Sequence, residues 1–141
     1  MKKLLRHIYL LPLLLLASCS AELPKQYANA DVIPVIYPDY TDVTVPCNIA
    51  PLVFRVEEDA REYVTRLSAG DKELIVSGEE VAPGLAEWQE LLVAAKGSAV
   101  SVEVFAKGDG EWKKYAPFSI FVSQDSIDPY ISYRLIPPSY V

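Results

Sequence analysis

Three observations predict a mostly β fold. Short runs rich in Val, Ile, Tyr and Phe recur along the chain, Pro- and Gly-containing clusters separate them, and the best runs alternate apolar with polar residues. A period of two is the signature of a strand with one buried face. Several short strands at this spacing predict a β-sandwich of the immunoglobulin-like or fibronectin-like type, with one short crossover helix, behind an N-terminal signal helix.

Taken in order, VIPVIY (32–37) is extended, and Pro34 places it at a sheet edge because proline has no N–H for a ladder. PDYTD (38–42) is a turn cluster. The extended course resumes at 43–45 and is interrupted by Pro46. PLVFRVE (51–57) alternates, with Leu52, Phe54 and Val56 on one face and Val53, Arg55 and Glu57 on the other. YVTRL (63–67) alternates less cleanly, and ELIVS (73–77) follows the turn AGDK. AVSVEVFAK (99–107) is the clearest strand, with Val100, Val102, Val104 and Ala106 predicted to face inward. An Asp109-Gly110 pair predicts a hairpin back into a long strand over 112–122, in which Pro117 marks a bulge or an edge. Between strands, PGLAEWQELLVAAKG carries Leu85, Trp88, Leu92 and Ala95 at helical spacing. Glu87 and Glu90 lie toward its N-terminus, Lys96 at its end and Gly97 in the capping position, so this is the crossover helix, with Trp88 in the core.

The first residues read as an address. Lys2, Lys3 and Arg6 precede an apolar run from Ile8 to Ala17, which leads through small residues to Cys19. That is the layout of a secretory signal, and the run is shorter than the ~20 residues a membrane-spanning helix needs. Leu16-Ala17-Ser18-Cys19 resembles the lipobox of bacterial lipoproteins. The resemblance implies cleavage before Cys19, a lipid on its sulfur and an acylated new amino terminus, anchored strongly because each buried CH2 contributes ~0.8 kcal/mol. Ser20 stands where an Asp retains many lipoproteins at the inner membrane, which directs the expectation to the outer membrane. The expected organisation is a signal peptide over 1–18, a flexible tether over 19–31, a β-sandwich over 32–123 and a linker, or the start of a further domain, over 124–141.

Cleavage changes which chemistry is available. It removes three basic residues and leaves 10 against 19 acidic ones, a formal charge of −9 on 123 residues. Such a chain does not suit nucleic acid, which needs clustered Lys and Arg, and anionic headgroups repel it, leaving the lipid to hold the membrane. The only His (His7) and the only Met (Met1) are lost too. Ser-His-Asp and Cys-His catalysis, a zinc site and a His- or Met-ligated haem all lack their residues, and no cofactor is expected. Cys47 is left as the one spare thiol.

The stretches IYPDYTDVTVPCNIAPLVFRV (36–56) and KYAPFSIFVSQDSIDPYISYRLIPPSYV (114–141) resemble the N-terminal region of large Bacteroides-type outer-membrane lipoproteins. Those proteins continue into a TolB-like, WD-type β-propeller, and some are named as cytochrome c biosynthesis proteins. The resemblance implies an envelope lipoprotein whose sandwich precedes a propeller. It carries no haem function here, because the family's CxxCH motif lies downstream of the RLIPP segment and outside this sequence.

No residue set points to a reaction. Glu57-Glu58-Asp59 and Glu79-Glu80 are acidic clusters beside turns, where solvated charge is the simpler reading than a carboxylate pair across a cleft. Asp109-Gly110-Glu111 lacks the run of oxygen ligands of a calcium loop. The candidate contact residues are aromatic: Tyr37, Tyr40, Trp112, Tyr115, Tyr130 and Tyr133. The expectation is therefore a non-catalytic spacer or docking module, with an envelope protein or a propeller domain as partner. The alternative is a carbohydrate-binding module that stacks a glycan on those rings.

Overall fold

A computed structural model describes residues 21–130 together with Ser132 and Arg134. The expected signal helix, Cys19, Tyr133 and residues 135–138 of the RLIPP segment lie outside the described residues. Among the described residues the fold is mostly β, with two sheets and one helix. Its elements are β1 (Ala28–Asn29), β2 (Ile36–Tyr37), β3 (Thr44–Val45), β4 (Phe54–Val56), β5 (Glu62–Ala69), β6 (Lys72–Ser77), β7 (Glu80–Val81), α1 (Leu85–Ala95), β8 (Ala99–Lys107), β9 (Trp112–Lys114) and β10 (Phe118–Val122).

The larger sheet is built on β8. β5 pairs antiparallel along one side of it, from Glu62↔Lys107 to Ser68↔Ser101, and β6 pairs with the far side of β5. The β5–β6 connection is a two-residue turn in which Gly70 takes φ +57, a left-handed backbone that glycine adopts without a Cβ penalty. On the other side of β8 run β9 and then β10. Lys114 lies opposite Phe105 and Phe118 opposite Val102, so Tyr115, Ala116 and Pro117 face only Glu103 and Val104. The return strand therefore carries one extra residue at Pro117, the bulge expected there, and splits into two segments. β1 pairs parallel with β9, and β3 pairs parallel with β10. The smaller sheet has the order β2-β4-β7.

The core forms where these layers meet. Val100, Val102, Val104 and Ala106 face inward as the alternation predicted, and Phe54, Val56 and Val81 meet them from the smaller sheet. The three-stranded sheet is narrow, and α1 packs beside it against β5, β6, β8 and β10. Trp88, Leu91, Leu92 and Ala95 are buried. Leu85 is 59 % exposed and corrects the expected stripe, which is centred on Trp88 and Ala95 and includes Leu91 in place of Leu85. Successive residues turn by about 100°, which places Leu85 at the margin of the buried arc, in the first turn where the helix overhangs the sheet. Gly97 ends the helix at φ +74, as its capping position suggested.

One expectation is corrected at the N-terminal edge of the domain. The tether assigned to 19–31 already carries β1 at Ala28–Asn29, and the Ala30 N–H donates to the Lys114 carbonyl at 2.8 Å. Two residues of edge strand leave no periodicity to read, so only the long-range pairing reveals them. At the other edge, the segment assigned to 124–141 begins hydrogen-bonded to the domain: the Cys47 N–H donates to the Asp125 carbonyl at 3.2 Å. Asn48 exchanges two bonds with the Ile127 backbone, each at 2.9 Å.

One core group is anomalous. Thr65 is fully buried between Val76 and Val104, and its hydroxyl has no hydrogen-bond partner among the described residues. Thr65→Val replaces that hydroxyl with a methyl of similar shape and should stabilise the fold by about 1 kcal/mol. Calorimetry should show Tm rising by about 4 °C, whereas a fall would mean that the hydroxyl has a partner.

Candidate functional site

Tyr133 lies outside the described residues, and the five other aromatic candidates do not form one surface. Tyr37 lies on the smaller sheet opposite Arg55 and is 62 % exposed. Tyr40 is half-buried against the edge of Phe54, with centroids 6.5 Å apart. Trp112 lies at the far end of the larger sheet, and the Lys107 ammonium sits over its ring at 5.8 Å. Tyr130 is 86 % exposed on the tail. Tyr115 is only 9 % exposed, which corrects its assignment to a binding surface. The bulge at Pro117 changes the facing of the strand and carries Tyr115 into the core margin.

Tyr115 instead belongs to a staple. Its hydroxyl donates to Glu58 Oε2 at 2.9 Å, and Glu58 Oε1 accepts the Val35 N–H at 2.8 Å. One carboxylate thereby joins the bulge of the larger sheet to the strand entering the smaller one. Tyr63 closes the arrangement, its hydroxyl lying 2.8 Å from the carbonyls of both Glu58 and Ala60. The acidic cluster 57–59 thus contains a structural acceptor, which a run of three acids beside a turn does not announce.

Burial pushes the Tyr115 phenol up to about 12, aided by its hydrogen bond to Glu58 and the Glu58 charge. The unfolded phenol loses its proton near ~10. Between these values the native state holds a proton that the unfolded chain has released, so this contribution is complete below pH ~10 and is lost toward pH ~12. Tyr115→Phe should cost about 1–2 kcal/mol at neutral pH by removing a charge-assisted bond. It should also flatten the alkaline decline in stability, read by denaturant titration across that window. An unchanged decline would assign the alkaline sensitivity to other tyrosines.

Charge organises the outer face of the larger sheet. Arg66 on β5 reaches Glu73 on β6 at 2.6 Å and Glu103 on β8 at 3.0 Å, and Lys114 on β9 completes the row by pairing with Glu103. Burial alone would raise the Glu103 carboxyl, but the hydrogen bonds and charges of Lys114 and Arg66 outweigh it and hold it below the ordinary carboxylate value. Beneath these charges Phe105 is buried, edge-on to Tyr27 at 5.3 Å. The alternation had made Phe105 an outward residue, and the N-terminal arm covers it.

An open concavity of about 580 Å3 lies at the Trp112 end, lined by Trp112, Tyr63, Arg61, Glu62, Glu79 and Glu22 among others. Nearby, the exposed Asp109 carboxylate of the hairpin turn pairs with Arg61 at 2.8 Å. Cys47 is half-buried, with Sγ 3.7 Å from the Gln124 carbonyl.

The path of the chain has a clear polarity. Glu22 lies at the end where Glu62, Lys107 and Trp112 align. Asp125 and Ile127 are fixed at the other end, beyond the Ala99↔Phe121 and Val45↔Val122 pairs. The nine residues of β8 separate the two ends by about 30 Å at ~3.3 Å per residue. The class defined is a two-sheet, mostly β module entered at one end and left at the other. Compared with family models, curated proteins and solved structures, the chain matches none.

Proposed function

We propose that the chain is a non-catalytic β-sandwich module of a lipid-anchored outer-membrane lipoprotein, serving as a spacer or docking domain. The observation that carries this reading is the polarity of the chain. An anchor at Cys19 would hold the Glu22 end near the bilayer, while the Asn48–Ile127 clamp fixes the chain at the other end. At most ~3.6 Å per residue, the short link from Cys19 to β1 at Ala28 spans about 32 Å even fully extended. The proposal includes the kinship with propeller lipoproteins, in which such a module would stand between membrane and propeller.

The finer architecture proposed is immunoglobulin-like. In its support, β2-β4-β7 oppose β6-β5-β8-β9/β10, the partition of an A-B-E sheet against a C′-C-F-G sheet. The module departs from antibody domains in placing its buried tryptophan on the crossover helix rather than on the third strand.

Fusing a reporter after Val141 tests the function in a Gram-negative host. The native chain should carry the reporter to the outer-membrane fraction and incorporate labelled fatty acid, and Cys19→Ser should release it in soluble form. A native fusion that stays soluble and unlabelled would overturn the reading. Carbohydrate binding has one observation in its favour, the Trp112–Tyr63 cleft. A glycan array with binding abolished by Trp112→Ala would establish it instead.

A further inference from the structure

The N-terminal arm is packed on the domain almost from the expected cleavage point. Ala21, Leu23 and Pro24 are half-buried, and Glu22 lines the Trp112 cleft. Tyr27 then lies edge-on to Phe105, with the Lys114 ammonium 5.8 Å from its ring centroid. Ala28 and Asn29 pair with Lys113 and Lys114. Because β1 runs parallel to β9, the arm enters from the Trp112 end and travels away from it. Only Ser20 separates the expected lipid-bearing Cys19 from packed chain.

The end where the arm enters is built from the Glu62↔Lys107 pair, the 108–111 turn, Trp112 and the 77–79 turn. Two of its acids are neutralised within the chain: Glu62 by Lys107 at 2.7 Å and Asp109 by Arg61 at 2.8 Å. Glu22, Asp59 and Glu111 add negative charge there, so attraction to an anionic surface is not what places this end. Chain length is. Trp112 is half-buried at this end. A ring with an apolar body and one N–H suits the headgroup depth of a bilayer, where tryptophan is enriched.

We infer that the Trp112 end is a membrane-contact face: the packed arm seats the module on the lipid bilayer, with Trp112 and the 108–111 turn against the headgroups. Three residue steps separate Cys19 from Glu22, a reach of about 11 Å even fully extended. The polar layer on one side of a bilayer is itself roughly 5–7 Å deep. Acyl chains on Cys19 enter the hydrocarbon, so a reach of that length leaves the Glu22 end against the headgroups. The lipid surface is the occupant because chain continuity brings it there, and a protein partner would have to fit within the same short gap. This seat rests on the anchored reading proposed above and adds the face that meets the lipid.

The test uses the full lipidated chain in phosphatidylcholine vesicles, with a nitroxide quencher on a fraction of the headgroups. The mature chain has two tryptophans, Trp88 and Trp112. Trp88 is fully buried and bonded to the Ile49 carbonyl, which makes it the internal control. Emission should fall on labelled relative to unlabelled vesicles, and Trp112→Phe should lose that fall. About ten Gly and Ser residues inserted between Ser20 and Ala21 add a mean reach of roughly 18 Å, leave every residue of the domain in place and should remove most of the quenching. Unquenched emission from a lipid-bearing chain that floats with the vesicles overturns the contact face and leaves the anchored reading intact. Quenching that persists through the insert, or that survives Trp112→Phe, also overturns it. A chain that takes up no lipid overturns both.

Discussion

Trp88→Ala should cost about 3–5 kcal/mol, the usual range for removing a fully buried large aromatic. The indole is 0 % exposed on the inner face of α1, and it is the side chain through which the helix covers the part of the larger sheet that the three-stranded sheet leaves open. Its Nε1–H donates to the Ile49 carbonyl at 3.1 Å, so the substitution opens a cavity and also strips a partner from the 46–49 segment. For a domain of this size the loss should lower Tm by about 12–20 °C. Trp88→Phe keeps most of the ring and loses the donor, and should cost about 1–3 kcal/mol. If the alanine variant melts within a few degrees of the native protein, α1 does not seal the core.

Phe54→Ala should cost a similar ~3–5 kcal/mol for a different reason. Phe54 is on the central strand of the smaller sheet and meets Phe118 of the larger one edge-on at 6.4 Å, with Tyr40 on its other side. It joins the two layers. Val53→Ala, one residue earlier and exposed, should change stability by less than ~0.5 kcal/mol. Urea denaturation distinguishes the two, with a large drop in midpoint at Phe54 and none at Val53. A double-mutant cycle between Phe54 and Phe118 should return a coupling of about 0.5–1.5 kcal/mol. Zero coupling would show that the sheets are held together elsewhere.

Both residues were legible in the sequence as core positions, and the reason is local. Phe54 stands in a run of period two and Trp88 in a stripe of period 3.6, and these periods follow from backbone geometry alone. The same geometry made the inward face of β8 readable, and Pro117 marked the bulge because proline interrupts a ladder. Tyr115 was not legible. Its burial depends on the facing change at the bulge and on Glu58, which is 57 residues away. Phe105 sat on the polar side of an alternating strand, and Tyr27, from a stretch with no pattern, covers it. Glu58 looked like one solvated acid among three.

By itself, the sequence determined the strand and helix periods, the punctuation between them, the charge, and the absence of His after Cys19. Each of these is fixed by residue identity or by neighbours within one turn or one hairpin. Only the tertiary structure decided which aromatic is buried, which acid is a staple and where the tether stops. Those depend on contacts between residues far apart in the chain, where an acidic, aromatic or two-residue edge segment reads the same whether it meets water or another strand.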